Sequence, residues 1–430
     1  MNGGISIKKS ITVRKDFITG ILFLMYFCSR VVSSVLARLF GAGIMRPLFA
    51  LLFFVLLLLC IVSNPQKAFV PLIVYFIIAL CFLITYIFHP EYITWFTHSS
   101  YGIVPGFLYP SRGIWAFLVV WIVKDERRLY YYLKIACWGM FLFLLLQFVV
   151  AKVRGYWVVA QPNGSVINSE YDMEYGYDML FPVSFFGAEI VIRRRKMYAF
   201  PFIVGAASIL LGGSRGAIIW VVALFFFALP FRWNDLTGKQ RVFFCAFLLL
   251  FLAFTIVAVL QYDAIMKSLA AWMSRRGISS RTLNSLVSGS FSDGNGRIEI
   301  YQMACELIKT GGALGRGVYG DRYYIGNFFQ WGYSHDIFLE LLVSFGYIGG
   351  SILILLLIFG VFFVYRHCYS LEKQVVWITF LTTSMKLILS NSFWYNAAFW
   401  TLLAIIIKTK KMKSKKKRTI ETELGLAWEQ

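Results

Sequence analysis

The chain has 430 residues, of which 59% are hydrophobic and 15% charged, and its formal net charge is +21. Soluble globular chains carry about 45–50% apolar and about 25% charged residues, and apolar runs recur along nearly all of this chain, so a soluble domain with a single membrane anchor is excluded. In a polytopic membrane protein the positive charge is the usual excess of Lys and Arg in cytoplasmic loops, and no nucleic-acid partner is expected.

Apolar runs of about 20 residues predict membrane-spanning helices, because backbone polar groups in lipid must bond within their own segment. The predicted fold class is an all-α polytopic membrane protein with about twelve transmembrane helices. In chain order, these helices are predicted at about 17–39, 46–63, 68–88, 106–123, 130–151, 177–192, 197–213, 216–231, 241–260, 345–366, 373–390 and 392–408.

Lys and Arg concentrate in alternate loops between the predicted helices, so both termini are predicted to be cytoplasmic. The predicted organisation is nine transmembrane helices over residues 1–260, a large extracytoplasmic loop over 261–344, three helices over 345–408 and a basic cytoplasmic tail over 409–430. Within the loop, Gly296–Thr310 has apolar residues at helical spacing, so short helices are expected there.

Arginines stand out at the predicted outer ends of the helices. Arg215 lies among small residues in Gly212–Ala217. A cation near the membrane is costly and usually has a reason, and the two interpretations are a functional role and an arginine that reaches the headgroups. The large loop adds Arg297, Arg316 and Arg322. Guanidinium groups suit bidentate contact with phosphate, and a solvated or acid-paired charge is the alternative for each.

His335 opens an apolar helical run and is one of four histidines in the chain. A neutral imidazole suits a general base for a sugar hydroxyl near neutral pH, whereas a helix-entry residue without a chemical role is the alternative. The histidines have neither HxxxH spacing nor an acid cluster, so no metal site is predicted. The GxGxxG pattern over 315–320 lacks a preceding strand and predicts turns rather than a dinucleotide site.

Five motifs taken in order resemble the O-antigen ligase and polymerase family of bacterial surface-polysaccharide enzymes. They are Ser214–Ala217, Gly296-Arg297, Gly315–Gly317, His335–Glu340 and Gly346–Gly349, and the likeness extends over residues 200–360. The resemblance implies the fold of multi-helix membrane glycosyltransferases and an undecaprenyl-pyrophosphate-linked glycan as donor. It also implies that no metal, nucleotide sugar or other cofactor is needed.

The resemblance further implies roles for single residues. Arg215 and Arg297 would hold the donor pyrophosphate, and His335 would activate the acceptor hydroxyl for a displacement that inverts the anomeric carbon. The residues expected to bind substrate around them are Ser214, Arg316, Tyr319, Arg322 and Tyr333.

The favoured function is a polymerase that transfers a lipid-linked glycan onto another lipid-linked repeat unit at the outer face of a bacterial inner membrane. One alternative is an O-antigen ligase with lipid A-core as acceptor. Another, from a different class, is a lipid-linked glycan transporter, although the chain has no internal repeat of the kind many transporters show. The expected partners are undecaprenyl-pyrophosphate-linked oligosaccharides, membrane lipids, a flippase and a chain-length regulator.

Overall fold

The computed structural model describes residues 3–99, 101–160, 166–169, 172–212, 214–242, 245–246, 297–329 and 332–410. Contacts divide the chain into two units, one formed by Met1–Met140 with Ile300–Gln430 and the other by Phe141–Glu299. Helices dominate the described residues of both units, as the apolar runs predict.

The first unit is built from helices of very different length. Its α-helices are Gly3–Phe27, Ser29–Phe40, Ala42–Ser63, Phe69–Phe88, Ile93–Phe96, Ile114–Ile122, Gly320–Gly326, Ile337–His367, Leu371–Ser384, Lys386–Leu389 and 397–410. Short 3₁₀ turns at Pro65–Lys67 and Pro90–Tyr92 and a π-helical turn at Val104–Leu108 connect some of them. Two further helices, Glu126–Arg154 and Arg297–Gly311, each begin in one unit and end in the other.

Among the described residues of the second unit, α-helices lie at Met173–Arg193, Ala199–Leu211 and Arg215–Ala228, and residues 238–242 are also helical. Short 3₁₀ turns lie at Lys196–Tyr198, Leu229–Phe231 and Trp233–Asp235. It also holds a two-stranded antiparallel sheet of Trp157–Ala160 and Val166–Ser169, with Trp157 opposite Ser169. This hairpin lies in a segment that was expected to be a loop, although its aromatic and β-branched residues favour strands.

Four helices of the described residues are long and apolar enough to cross a membrane: Gly43–Ser63, Pro65–Phe88, Glu126–Arg154 and Ile337–His367. A fifth crossing results if the pair Lys15–Phe27 and Ser29–Phe40, bent by 84°, counts as one. The chain is therefore a helical membrane protein. The larger number of twelve crossings stays a prediction.

Two predicted helices are broken in the structure. The one predicted at 17–39 bends at Cys28, which is not helical. The one predicted at 106–123 shrinks to Ile114–Ile122, because Tyr109 is extended, with ψ of 136°. Tyr109 precedes Pro110, and a residue before proline is forced out of the helical conformation.

Other helices differ at their ends. The helix predicted at 345–366 begins earlier, at Ile337, because the Asp336 side chain caps it. The helix predicted at 392–408 begins only at residue 397, since the backbone around Asn391 (φ 75°) is not helical. The helix predicted at 241–260 falls largely outside the described residues.

Candidate active site

The 31-residue helix Ile337–His367, here called the kinked helix, is broken at Gly346. Gly346 has φ of 68°, and a Cβ there would lie 2.3 Å from the carbonyl oxygen of Ala313. Only glycine fits a left-handed conformation with so close a neighbour. The neighbouring segment 312–317, here called the docking loop, therefore packs directly on the break.

The docking loop and the kinked helix exchange backbone hydrogen bonds in both directions. The bonds run from Arg316 N to Val343 O (2.7 Å), Gly317 N to Ser344 O (3.0 Å), Tyr347 N to Gly312 O (3.1 Å) and Ile348 N to Ala313 O (3.3 Å). The docking loop thus forms hydrogen bonds with the carbonyl and N–H groups that lose their partners within the helix at the kink. A break in a membrane helix needs such replacement partners.

The helix Phe69–Phe88 and the turn Pro90–Tyr92 after it hold the docking loop and its next residue, Val318, from another side. Thr85 Oγ1, near the end of Pro65–Phe88, accepts a hydrogen bond from Val318 N at 2.9 Å. Tyr92 Oη donates to the carbonyl oxygen of Arg316 at 3.0 Å. The backbone that carries Arg316, Val318 and Tyr319 is therefore fixed between two elements of the first unit.

Arg322 lies at the centre of a buried polar cluster and is only 1% exposed. Its Nη1 donates to Asp321 Oδ1 (2.8 Å) and Glu340 Oε1 (3.0 Å), and its Nη2 donates to Glu340 Oε1 (3.0 Å) and Ser392 Oγ (2.6 Å). Burial alone lowers the pKa of Arg322, but the negative charges of Asp321 and Glu340 help to raise that pKa well above its ordinary value. These four residues, here called the arginine network, link three segments of the first unit.

The arginine network continues to His335 through the backbone. Asp321 Oδ2 accepts from both the N–H and the hydroxyl of Ser334, each at 3.1 Å. On the other side, Asp336 Oδ1 accepts from Phe338 N (2.8 Å) and from the next N–H of the helix. His335 is thereby held between two anchored neighbours in a left-handed conformation, with φ of 53°.

Three tyrosines surround this histidine and the arginine network. The ring of Tyr333 lies 4.0 Å from that of His335, centroid to centroid. The Arg322 guanidinium carbon lies 4.1 Å from the ring centre of Tyr319 and 5.6 Å from that of Tyr395. Burial raises the pKa of Tyr319 and of Tyr333, so both phenols stay neutral hydrogen-bonding groups.

Arg316, in the docking loop, is half-buried. Its guanidinium carbon lies 5.4 Å from the ring centre of Tyr324. Its Nε is buried and has no hydrogen-bond partner within the described residues. A buried donor without an acceptor is costly, so this nitrogen is suited to an anionic ligand.

The other predicted residues lie in the second unit. Ser214 is buried and immediately precedes the helix Arg215–Ala228, and Arg215 is the first residue of that helix. A Cβ at Gly176 would lie 2.1 Å from the Ser214 Cβ, so the helix Met173–Arg193 packs tightly against this turn. Arg297 is half-buried and is the first residue of Arg297–Gly311.

From Ile300 onward, the helix Arg297–Gly311 belongs to the first unit, and it packs beside the kinked helix. Ile300, Ala304 and Ile308, spaced four residues apart, form an apolar cluster with Ile325 and Val343. This spacing had predicted a helix for 296–310. The cluster connects the helix that begins at Arg297 with the short helix that carries Arg322.

The sequence analysis did not assign Glu340, Ser392 or Tyr395 to the site. Ser392 and Tyr395 were placed in a transmembrane helix, but they belong to the non-helical segment 390–396. Polar Asn391, Ser392 and Asn396 between two apolar runs were the available signal for a break. No cluster of three or more His, Cys, Asp or Glu side chains suited to a metal ion occurs in the part of the chain that the structure describes.

Residues 200–354 match the family model described as "O-Antigen ligase". The match contains Arg215, Arg297, the docking loop, the arginine network up to Glu340, and His335. It confirms the resemblance drawn from the sequence motifs. No curated protein matches the chain.

Proposed function

We propose that this protein of the O-antigen ligase and polymerase family is a membrane glycosyltransferase that extends a lipid-linked glycan. The donor would be a glycan on undecaprenyl pyrophosphate. An acceptor hydroxyl oxygen would attack the anomeric carbon of the donor while the bond from that carbon to the pyrophosphate oxygen breaks. His335 would take the hydroxyl proton, and undecaprenyl pyrophosphate would leave with the bonding electron pair.

The observation that carries this proposal is the conformation of His335. A left-handed backbone is uncommon for a residue other than glycine, and strained residues of this kind cluster at functional sites. Here the strain is maintained by hydrogen bonds on both sides, at Ser334 and at Asp336. A base that must meet a hydroxyl at one angle benefits from such a fixed position.

The leaving pyrophosphate needs cations, and three arginines are proposed to provide them. Arg215 and Arg297 keep the roles that the resemblance implies. Arg316 is proposed as a third contact, because its buried Nε lacks a protein acceptor within the described residues. Guanidinium groups that stabilise developing charge contribute strongly when the site excludes water.

Arg322 is proposed to position the site rather than to bind the donor, because its guanidinium is already bonded to two carboxylates. Through Asp321 and Ser334 it would keep the His335 backbone in place. An Arg322→Lys variant should therefore lower kcat while the KM for the lipid-linked donor changes little. A rise in KM at unchanged kcat would instead support the substrate-binding role expected from the sequence.

The outward orientation of the site is inferred from one helix. Lys67 and Thr85 lie 18 positions apart on Pro65–Phe88, which is about 27 Å along a helix and close to the roughly 30 Å of membrane hydrocarbon. Thr85 bonds to Val318, next to the docking loop, at one end of this span. Lys67 lies at the other end, where Lys124, Lys373 and Lys408 also lie. Because lysine-rich ends are usually cytoplasmic, the site of His335 is proposed to face outward.

A polymerase is favoured over a ligase because several arginines of the large loop offer contacts for two anionic lipids. The ligase is the second candidate, and the family match does not distinguish it from a polymerase. A transporter is the remaining alternative, but it gives no reason for a fixed histidine beside arginines.

The test uses purified protein in nanodiscs with its native lipid-linked repeat unit and no other acceptor. A ladder of longer lipid-linked glycans, formed equally in the presence of a chelator, is the expected result. Transfer that begins only when lipid A-core is added would identify a ligase. No transfer under either condition would contradict the proposed glycosyltransferase.

A further inference from the structure

A cavity of about 220 Å³ lies in the first unit, away from the arginine network. Four lysines line it, Lys67, Lys124, Lys373 and Lys408, together with two acids. Such a space is large compared with the roughly 10–15 Å³ that one water molecule needs. We propose that this cavity, here called the lysine cavity, binds the phosphate group of an anionic ligand.

The two acids of the cavity already have cationic partners, so they do not neutralise all four lysines. Glu126 Oε1 pairs with Lys373 Nζ at 2.8 Å, and Glu126 Oε2 accepts from Ser370 Oγ. Asp125 pairs with Arg128, which does not line the cavity. The remaining three lysines, Lys67, Lys124 and Lys408, have no ion-paired acid among the described residues.

Two of those lysines are held in place by backbone carbonyl groups. Lys408 Nζ donates to Val120 O (2.9 Å) and Val123 O (2.8 Å), and Lys67 Nζ donates to Ile122 O (2.7 Å). An ammonium group has three N–H donors. Both lysines are therefore fixed at the wall, and in the protonated form Lys408 keeps one donor and Lys67 two for a ligand.

Capping of the carbonyls at the end of Ile114–Ile122 explains part of this arrangement, since lysines commonly cap helix ends. It does not explain the open space between the lysines or the presence of Lys124 and Lys373, which do not bond to those carbonyls. Lysine is well suited to phosphate as a compact positive charge. A phosphate oxygen among these ammonium groups would satisfy the unused donors.

The remaining wall of the cavity is apolar and includes Trp121, Leu129, Val376 and Ile405. A ligand with a charged head and a hydrocarbon part would match both walls. Basic pockets between the cytoplasmic ends of membrane helices bind anionic lipid headgroups in this way. The phosphate group itself is common to lipid headgroups and free phosphate, and the experiment separates these two sources.

The cavity is independent of the proposed catalytic chemistry. Lys67 lies in the turn that begins the span Pro65–Phe88, and Thr85, which bonds to Val318 next to the docking loop, lies near its other end, about 27 Å away. A ligand bound here cannot touch His335. Failure of the catalytic proposal would therefore leave this inference intact, and the reverse also holds.

The test measures the thermal unfolding midpoint of the full chain in an uncharged detergent. The probes are inorganic phosphate, a short-chain phosphatidylglycerol and a phosphatidylcholine of the same chain length. A ligand that binds only the folded state raises the midpoint with its concentration. Phosphatidylglycerol is expected to raise the midpoint saturably, and phosphatidylcholine to have little effect.

Single lysine substitutions test whether the ligand binds in the lysine cavity. Lys67→Gln is expected to weaken the apparent Kd for phosphatidylglycerol about tenfold, as for a lost bond to a charged group. Lys124→Gln, at an exposed position that tolerates substitution, is expected to weaken it about threefold. Lys410→Gln is the matched control, because Lys410 carries the same charge nearby but does not line the cavity.

The outcomes separate the sources and the alternatives. Equal stabilisation by inorganic phosphate would show that the cavity takes the phosphate group alone, whereas a response restricted to phosphatidylglycerol would show that it takes the lipid. No response to either anionic probe would overturn the proposal. Equal losses in Lys124→Gln and Lys410→Gln would also overturn it, because binding would then depend on diffuse surface charge.

Discussion

Replacement of Arg322 by methionine is the sharpest perturbation of the proposed active site. The parent side chain neutralises one of two buried carboxylates, Asp321 and Glu340, and makes four hydrogen bonds to them and to Ser392. Without it, two acids that are 0% and 1% exposed would share the site with no cation in the arginine network. Burial leaves water little opportunity to compensate.

The expected loss of stability follows from this geometry. Removal of one partner from a buried ion pair costs about 3–5 kcal/mol, because the other charge stays buried without compensation. Glu340→Gln in the same chain removes one of the two negative charges and keeps an acceptor of similar shape. The double variant should therefore be more stable than Arg322→Met alone, by about 0.5–3 kcal/mol.

The assay compares the thermal unfolding midpoints of the parent, both single variants and the double variant in one detergent. Arg366→Met is the matched control, since Arg366 is exposed at the far end of the kinked helix. That substitution should change stability by no more than about 1 kcal/mol. Transfer activity is measured below the lowest midpoint, so that unfolding does not mimic a catalytic defect.

Two results would refute this reasoning. If Arg322→Met unfolds at the same temperature as the control, the arginine network does not stabilise the site. If Glu340→Gln lowers the stability of Arg322→Met further, the two buried carboxylates do not repel each other in the way that the hydrogen bonds imply.

Three other substitutions test the scaffold. Gly346→Ala should destabilise the protein severely, because its Cβ would lie 2.3 Å from the Ala313 carbonyl oxygen at a φ of 68°; folded yield and the unfolding midpoint measure this. Asp336→Ala should cost about 1 kcal/mol by loss of the helix cap and should also lower kcat by freeing His335, as a transfer assay would show. Thr85→Val should leave the buried N–H of Val318 without its acceptor. The free energy of unfolding should fall by about 1–3 kcal/mol, and a lower unfolding midpoint would show this.

Each of these has a control of the same chemistry. Gly349→Ala changes a helical glycine three residues from the break and should be tolerated better than Gly346→Ala. Ser370→Ala removes a helix cap far from His335, so it should lower stability without a change in kcat. Thr97→Val alters an exposed threonine that bonds only within its own turn. Equal behaviour of any test variant and its control would contradict the role given to that residue.

The fold class could be predicted from the sequence because backbone groups in lipid must bond within their own segment, so long apolar runs form helices. The breaks in the helices could not be predicted as well. Pro110 is a visible signal, but no proline marks the bend at Cys28, and the break at Gly346 packs against the distant docking loop. The docking loop in particular satisfies the Gly346 kink only after residues about thirty positions apart come together, a consequence of tertiary packing.

The candidate site was predicted in part. His335, Arg316 and Arg322 were selected by residue type, and Ser334, next to His335, bonds to Asp321, the partner of Arg322. The pairing of Arg322 with Glu340 could not be predicted, because an acid inside an apolar helical run gives no indication of its partner. Ser392 was missed for a related reason, since a single serine next to aromatic residues is compatible with a membrane helix.

The most direct test of the central claim is the transfer rate of His335→Ala in nanodiscs with the native lipid-linked donor. His367→Ala, at the other end of the kinked helix, serves as the matched control. Because general-base catalysis contributes about 10²–10⁴-fold, the His335 variant should lose at least about a hundredfold in rate while it unfolds at the temperature of the parent. A rate within a few-fold of the control would contradict the assignment of His335 as the base.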